Sequence, residues 1–168
     1  MEFEVRHRLN IDVDGFWTHV FFDQPFNQKL YMGELGFKEY RVVDEQHHPD
    51  GKVERTVYYD PDADVPQVAR KLLGDKTGYT EHGTYDPVTR RWRFSVKPDM
   101  AGDKIRIGGE FWAEPLGGGV VERVARHRIE VSMLGVGRLV EKLIEQQMRE
   151  NYDQAAAFTA RYLSQRIA

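Results

Sequence analysis

The sequence predicts an α+β domain in which a curved antiparallel sheet of seven strands wraps around a long C-terminal helix, with two short helices after the first strand. Three observations support this fold class. Residues 2–11 alternate strictly between polar and mostly apolar side chains, which is typical of a half-buried strand. Residues 37–133 contain further short runs separated by turn sequences. Residues 137–166 carry apolar side chains every three or four positions, as in an amphipathic helix.

The first strand is predicted to bury the face that carries Phe3, Val5, His7, Leu9 and Ile11. Asp12 or Asp14 follows, and either carboxylate is expected to accept hydrogen bonds from the free N–H groups of a first helical turn. Large apolar residues then recur at helical spacing over Gly15–Leu35. Pro25 disfavours one continuous helix and suits the first turn of a second. We therefore expect two short helices, the second ending at Gly36.

Six more strands are predicted between residues 37 and 133. A proline, aspartate or glycine turn separates most of them. The exception is Val65–Leu73, where the apolar spacing predicts a short helix that ends at Gly74. The predicted strands are Lys38–His47, Val53–Tyr59, Gly78–Tyr85, Arg91–Lys97, Lys104–Glu114 and Val120–Met133.

The last segment, Gly137–Arg166, is predicted to form one helix because no proline or glycine interrupts its apolar stripe. Some 30 residues of helix span roughly 45 Å. A stripe of that length has to be buried, and the sheet is the only large partner in a chain of 168 residues.

Composition narrows the function classes. The length suits a single domain over residues 1–168. A net charge of -3 argues against nucleic acid as the main partner. No cysteine is present, which excludes disulfides and thiolate chemistry, and no run of about 20 apolar residues predicts a membrane span. No apolar block resembles a signal peptide, so we expect a cytoplasmic protein. No cofactor is expected, and the glycine clusters lack the spacing of nucleotide-binding loops. The oligomeric state stays open.

Two stretches carry a resemblance to a known superfamily. One is Val65–Gly74 followed by Gly78–Tyr85, and the other is Glu130–Glu141, in which Val131, Leu134, Gly135 and Gly137 lead into the last helix through Val140. With the order of elements, they resemble the helix-grip fold of the START-like (SRPBCC) superfamily, which includes the birch-pollen-allergen proteins, and within it an uncharacterised bacterial branch. The resemblance implies a cavity between sheet and helix for sterols, lipids, polyketides or similar molecules. It transfers no catalytic residue, because the superfamily has no universal catalytic motif.

Aromatic and apolar residues are the first class of candidate ligand contacts. Ligand pockets are usually lined by such side chains with a few placed polar groups. For each of them the alternative is ordinary core packing. The candidates are Phe16, Val20, Tyr79, Trp92, Phe94, Ile107, Phe111, Leu143, Met148 and Tyr152.

Polar residues on faces that otherwise point inward form the second class: His7, Glu81, Arg123 and His127. Such groups must pair or face a wet cavity, because burying them alone is costly. If they converge, Arg123 suits a carboxylate or phosphate and either histidine suits proton transfer. The alternatives are histidines satisfied within the core, or side chains that face outward. No metal site is expected, since adjacent histidines such as His47 and His48 point to opposite faces of a strand.

Three functions remain open. The first is a binding or carrier protein for a hydrophobic small molecule or lipid. The second is a cyclase, dehydratase or hydrolase acting on a polyketide-like or aromatic substrate, for which the four polar residues must face one pocket. The third is a protein-interaction module without a ligand, which exposed apolar residues in the 16–35 helices would favour.

Overall fold

Seven strands form one antiparallel sheet, and all seven predictions are confirmed. The computed structural model describes residues 1–167, except for the side chains of Val68 and Ile167. The strands are β1 (Glu2–Leu9), β2 (Glu39–His47), β3 (Val53–Asp60), β4 (Tyr79–Asp86), β5 (Arg91–Pro98), β6 (Ile105–Gly117) and β7 (Val120–Val131). Their order in the sheet is β1-β7-β6-β5-β4-β3-β2, so the first strand pairs with the last and every other pair of neighbours is consecutive in the chain.

Two short helical segments lie between β1 and β2, as predicted, but each ends in a π-helical turn that the sequence pattern did not reveal. Helix α1 (Val13–Phe16) continues into a π turn over Trp17–Phe21, and α2 (Gln24–Gln28) continues into another over Lys29–Glu34. The carboxylate of Asp12 caps α1 and that of Asp23 caps α2. The chain leaves the second π turn through Gly36, whose φ of 67° suits a glycine.

The remaining helices are also where the sequence predicts them. Helix α3 (Gln67–Leu73) ends at Gly74, and α4 (Gly137–Ile167) forms the long C-terminal helix. A single 3₁₀ turn over Gly102–Lys104 precedes β6. Within the described residues, no helix combines the length and apolar character needed to cross a membrane.

Helix α4 packs on β1, β7 and the segment that follows α2. Arg149 anchors its middle, because the guanidinium donates to the carbonyl oxygen of Glu4 at 3.1 Å and lies 4.8 Å from the centre of the Phe3 ring. Glu141 near its first turn accepts a hydrogen bond from the backbone N–H of Val131. These contacts fix the helix over one side of the sheet and leave β3, β4 and β5 to face a hollow.

Glycines in the inward face of the sheet make room for aromatic rings. Arg55, Gly83, Phe94, Gly109 and His127 are consecutive partners on β3 to β7. A β-carbon on Gly83 would overlap the Trp92 indole, and one on Gly109 would lie 3.0 Å from the Phe94 ring and overlap the Arg126 carbonyl. The rings of Trp92 and Phe94 therefore occupy the space over the strands that a side chain would otherwise take.

We predict that Gly83→Ala destabilises the protein, because the added methyl group displaces the buried Trp92 indole. Overpacking of this kind costs about 1–3 kcal/mol of unfolding free energy. Urea unfolding measures it. The matched control is Gly33→Ala, where an added methyl meets nothing within 4 Å and should leave stability equal or slightly higher. Equal losses of unfolding free energy in both variants would contradict the close packing of Trp92 against Gly83.

Candidate functional site

A cavity of about 490 Å³ lies between the inward face of the sheet and the helices. Its volume falls in the range of small-molecule sites, roughly 300–1,000 Å³. Strands β3 to β7, both segments between β1 and β2, the stretch from Pro61 to Gly78 and helix α4 all contribute to its wall. The apolar residues of α4 that line it are Val140, Leu143, Ile144, Met148 and Ala155.

Tyrosine side chains form the part of the wall nearest β2. Tyr31 stacks on Tyr40 with ring centres 5.0 Å apart, and Tyr59 stacks on Tyr79 at 5.1 Å. Burial raises the pKa of the Tyr31, Tyr59 and Tyr79 hydroxyls, so these phenols stay neutral at physiological pH. They provide ring faces together with hydroxyl groups that can donate or accept a hydrogen bond.

Glu81 and Arg55 bring opposite charges into this aromatic wall. The Glu81 carboxylate accepts a hydrogen bond from the Trp92 indole N–H at 3.3 Å. Burial raises the pKa of Glu81, while the positive charge of Arg55 and the Trp92 N–H oppose that shift. The Arg55 guanidinium lies 4.8–5.3 Å from the ring centres of Phe21, Phe22 and Trp92. Three ring faces stabilise the cation where water cannot.

Arg123 is held by a polar chain that leads to the surface. Its Nη2 donates to His7 Nδ1 and to the carbonyl oxygen of Tyr152, both at 3.0 Å. His7 Nε2 is 2.7 Å from the Asp153 carboxylate. A guanidinium only donates, so His7 Nδ1 accepts, and the hydrogen-bond network assigns the ring proton to Nε2, which donates to Asp153. Burial lowers the pKa of Arg123.

His127 lies deep in the sheet interior with 1% of its surface exposed. Its ring stacks on Phe3 at 5.1 Å, and its Nε2 is 3.1 Å from the Tyr152 hydroxyl. Among the described residues its Nδ1 has no hydrogen-bond partner. Burial, reinforced by the positive charge of Arg149, lowers the pKa of His127 to about 4. The imidazole is therefore neutral at physiological pH.

Thirteen of the fourteen candidate residues lie in the wall of this one cavity. They are Phe16, Val20, Tyr79, Glu81, Trp92, Phe94, Ile107, Phe111, Arg123, His127, Leu143, Met148 and Tyr152. The placement of His7 differs. It lies on the inward face of β1, but α4 packs directly over that strand, so His7 contacts Arg123 and Asp153 behind the wall.

Sequence reasoning missed Arg55 and the tyrosines at positions 31, 40 and 59. Arg55 carried the same signal as Arg123, since it alternates with Val53, Val57 and Tyr59 on one face of β3. Tyr31 lies in a π turn, where the register of a regular helix does not apply.

Other histidines contact nearby side chains on the surface. His47 pairs with Glu45 and His48 with Glu54, while His82 hydrogen-bonds to Thr56. Within the described part of the chain, no three histidine, aspartate or glutamate side chains are grouped so as to hold a metal ion.

We predict that His127 makes stability fall as the pH drops. The unfolded imidazole takes up a proton near pH 6.5 and the folded one near pH 4, so acid favours the unfolded chain between these values. The contribution of His127 to the free energy of unfolding is fully present above pH 6.5, and roughly 2 kcal/mol of it is lost by pH 5. Urea unfolding of the wild type and His127→Phe at pH 7.5 and 5 measures it. Between pH 7.5 and 5, the unfolding free energy of His127→Phe should fall by roughly 2 kcal/mol less than that of the wild type. Equal decreases in both proteins would contradict the prediction.

Solved structures with the same fold are similar to this chain over nearly its whole length. A START superfamily protein from Mycobacterium smegmatis shares 14% identity at a TM-score of 0.59, covering 96% of this chain and 98% of the other. The Zhui aromatase/cyclase from Streptomyces sp. R1128 shares 11% identity at a TM-score of 0.65, and the match covers 97% of this chain and 95% of the other. The third structure is norcoclaurine synthase from Thalictrum flavum in complex with dopamine and hydroxybenzaldehyde. It shares 15% identity at a TM-score of 0.62, and the match covers 94% of this chain and 85% of the other.

At these identities the similarity shows the fold alone, which is the START-like helix-grip fold. No curated protein matches the chain. One family model, described as "Protein of unknown function (DUF2505)", matches residues 4–163. The chain therefore belongs to the DUF2505 family.

Proposed function

We propose that this protein binds and carries an apolar small molecule, with aromatic character, in the cavity between the sheet and α4. The observation that carries the proposal is the cavity itself: about 490 Å³ are left unfilled by protein side chains. A closely packed interior leaves few voids larger than a water molecule. An apolar hollow of this size is therefore costly to maintain and is consistent with a ligand that fills it.

The chemistry of the wall supports an aromatic or otherwise flat ligand. Trp92, Phe94 and Phe111 present rings from the sheet, and the stacked tyrosines present more from the side of β2. Aromatic rings prefer offset or edge-to-face contacts with one another. The complex of norcoclaurine synthase with dopamine and hydroxybenzaldehyde is an example of a similar fold holding small aromatic molecules.

Catalysis on such a ligand is a second candidate, favoured by the environment of Glu81. A carboxyl group whose pKa is raised by burial can serve as a general acid or base. Arg123 and His127 line the same cavity, so three of the four polar residues that sequence reasoning selected face one pocket. The protein-interaction alternative has less support, since Met32, at 37%, is the only exposed large hydrophobic residue described within residues 16–35.

To test binding, we predict that Leu143→Arg weakens the binding of a neutral apolar fluorophore, N-phenyl-1-naphthylamine. Leu143 lines the cavity, and an arginine there places an unpaired charge in the ligand space. The affinity in a fluorescence titration should fall about tenfold or more. Leu143→Trp, which fills the space without adding charge, should have the same effect.

The matched control is Leu139→Arg, one turn earlier on α4, where the side chain is 50% exposed and does not line the cavity. This variant should bind the fluorophore as the wild type does. Thermal unfolding of each variant separates loss of binding from loss of fold. Wild-type protein that takes up no fluorophore, or folded Leu143 variants that bind it normally, would exclude the proposed site.

To test catalysis, molecules that co-purify with the protein are identified by native mass spectrometry and then incubated with wild type and Glu81→Gln. The amide preserves the shape of the side chain and its contact with Trp92 but cannot transfer a proton. If the cavity is catalytic, the wild type changes the molecule and the variant only binds it. Equal conversion by both proteins would remove Glu81 from the mechanism.

A further inference from the structure

The cavity wall contains two buried guanidinium groups and one inward carboxyl group. Arg55 and Arg123 are 4% and 5% exposed. The inward carboxyl is that of Glu81. The other acidic residues of the wall, Asp64 and Glu150, are exposed to solvent. Positive charge therefore exceeds negative charge inside the cavity, and burying a charge without a partner is costly.

Arg55 is largely compensated by its surroundings. The Glu81 carboxyl group lies close enough to interact electrostatically with Arg55, which lowers the pKa of that carboxyl, although burial has the larger effect and leaves the pKa raised. Three aromatic rings face the guanidinium, and its Nη1 donates to the Phe21 carbonyl oxygen at 3.4 Å. Arg55 therefore has an acidic neighbour and three ring faces in the wall, while its Nε has no hydrogen-bond partner among the described residues.

Arg123 has no acidic partner of this kind. Within the described residues it forms no ion pair with a carboxylate, and its hydrogen bonds reach an acidic side chain, Asp153, only through the His7 ring. Asp153 is 72% exposed. Solvent screens that charge. The Arg123 guanidinium lies 5.3 Å from the centre of the Tyr152 ring, which partly stabilises the cation but supplies no negative charge.

The hydrogen bonds of Arg123 also leave one end of it available. Both Nη2 hydrogens are used, by His7 and by the Tyr152 carbonyl oxygen. Nη1 donates to no acceptor among the described residues, and Arg123 lines the cavity. Because Nη2 is occupied, an anion is bound through Nη1 rather than by the two-pronged fork that arginine usually offers. The bonds that Arg123 donates to Tyr152 and His7 hold its side chain in position before any ligand arrives.

We propose that the ligand carries a carboxylate that binds Arg123, with its apolar body in the rest of the cavity. This inference rests on the proposed binding function and assigns the ligand class as apolar monocarboxylates. The carboxylate supplies the negative charge that the cavity lacks and accepts the hydrogens of Nη1. A charge-assisted hydrogen bond of this kind favours the anion over an uncharged analogue by about tenfold or more.

The test compares two probes of nearly equal shape, 1-pyrenebutyrate and 1-pyrenebutanol, by fluorescence titration at pH 7.5. Wild-type protein should bind the carboxylate about tenfold more tightly than the alcohol. Arg123→Met should lose that preference while its affinity for the alcohol stays within about threefold. Replacing a buried, poorly paired charge by an apolar side chain is often tolerated, so the variant is expected to fold.

The matched control is Arg128→Met on the same strand, where the side chain is 67% exposed and pairs with Glu130. It changes the net charge by the same amount outside the cavity and should preserve the preference. Loss of the preference in Arg128→Met would show that net charge, and not the Arg123 guanidinium, determines it, and would overturn the assignment to Arg123.

The wild-type comparison decides the question even if Arg123→Met fails to fold. Equal binding of both probes contradicts the carboxylate proposal and leaves the proposed binding function standing. Binding of neither probe contradicts the proposed function, and the inference falls with it. A tenfold preference that persists in folded Arg123→Met also overturns the assignment.

Discussion

The contact between α4 and the β1–β7 side of the sheet determines the rest of the structure. Arg149 fastens the middle of the helix to β1, and Glu141 fastens its first turn to the end of β7. At the other end, Phe158 and Tyr162 pack on Phe26, which ties the helix to α2. A helix of roughly 45 Å held at these points cannot also close onto β3, β4 and β5. The cavity is the space between α4 and the strands that the helix does not contact.

Within that space, small and large residues alternate across the strands. Gly83 and Gly109 leave room on the sheet, and Trp92 and Phe94 lean into it. The aromatic rings thus lie close to the strands, and the volume above them is not filled by protein side chains. The same arrangement places Arg55, Glu81 and His127 within one wall although they come from β3, β4 and β7. Burial then acts on each group, favouring the neutral forms of Glu81 and His127.

Most of the fold could be predicted because alternation and helical spacing are local signals. Every strand and the long helix follow directly from them. Local signals do not show, however, whether an inward side chain reaches the cavity or is covered by another element. The face of His7 was assigned correctly, but only the position of α4 over β1 shows that this residue lies behind the wall. The π turns escaped prediction because the apolar spacing of residues 16–35 fits a regular helix nearly as well. Arg55 escaped for no physical reason, since its place among Val53, Val57 and Tyr59 marked it as clearly as any candidate.

The position of Trp92 has a practical consequence. Trp17 is not in the cavity wall, and Trp112 lies between the guanidinium groups of Arg91 and Arg126. Trp92 alone of the three indoles borders the cavity, and its N–H meets a carboxyl group. We therefore expect its fluorescence emission to change when a ligand enters the cavity and when Glu81 ionises. Intrinsic tryptophan fluorescence can therefore be used to follow the interior of the protein without an added label.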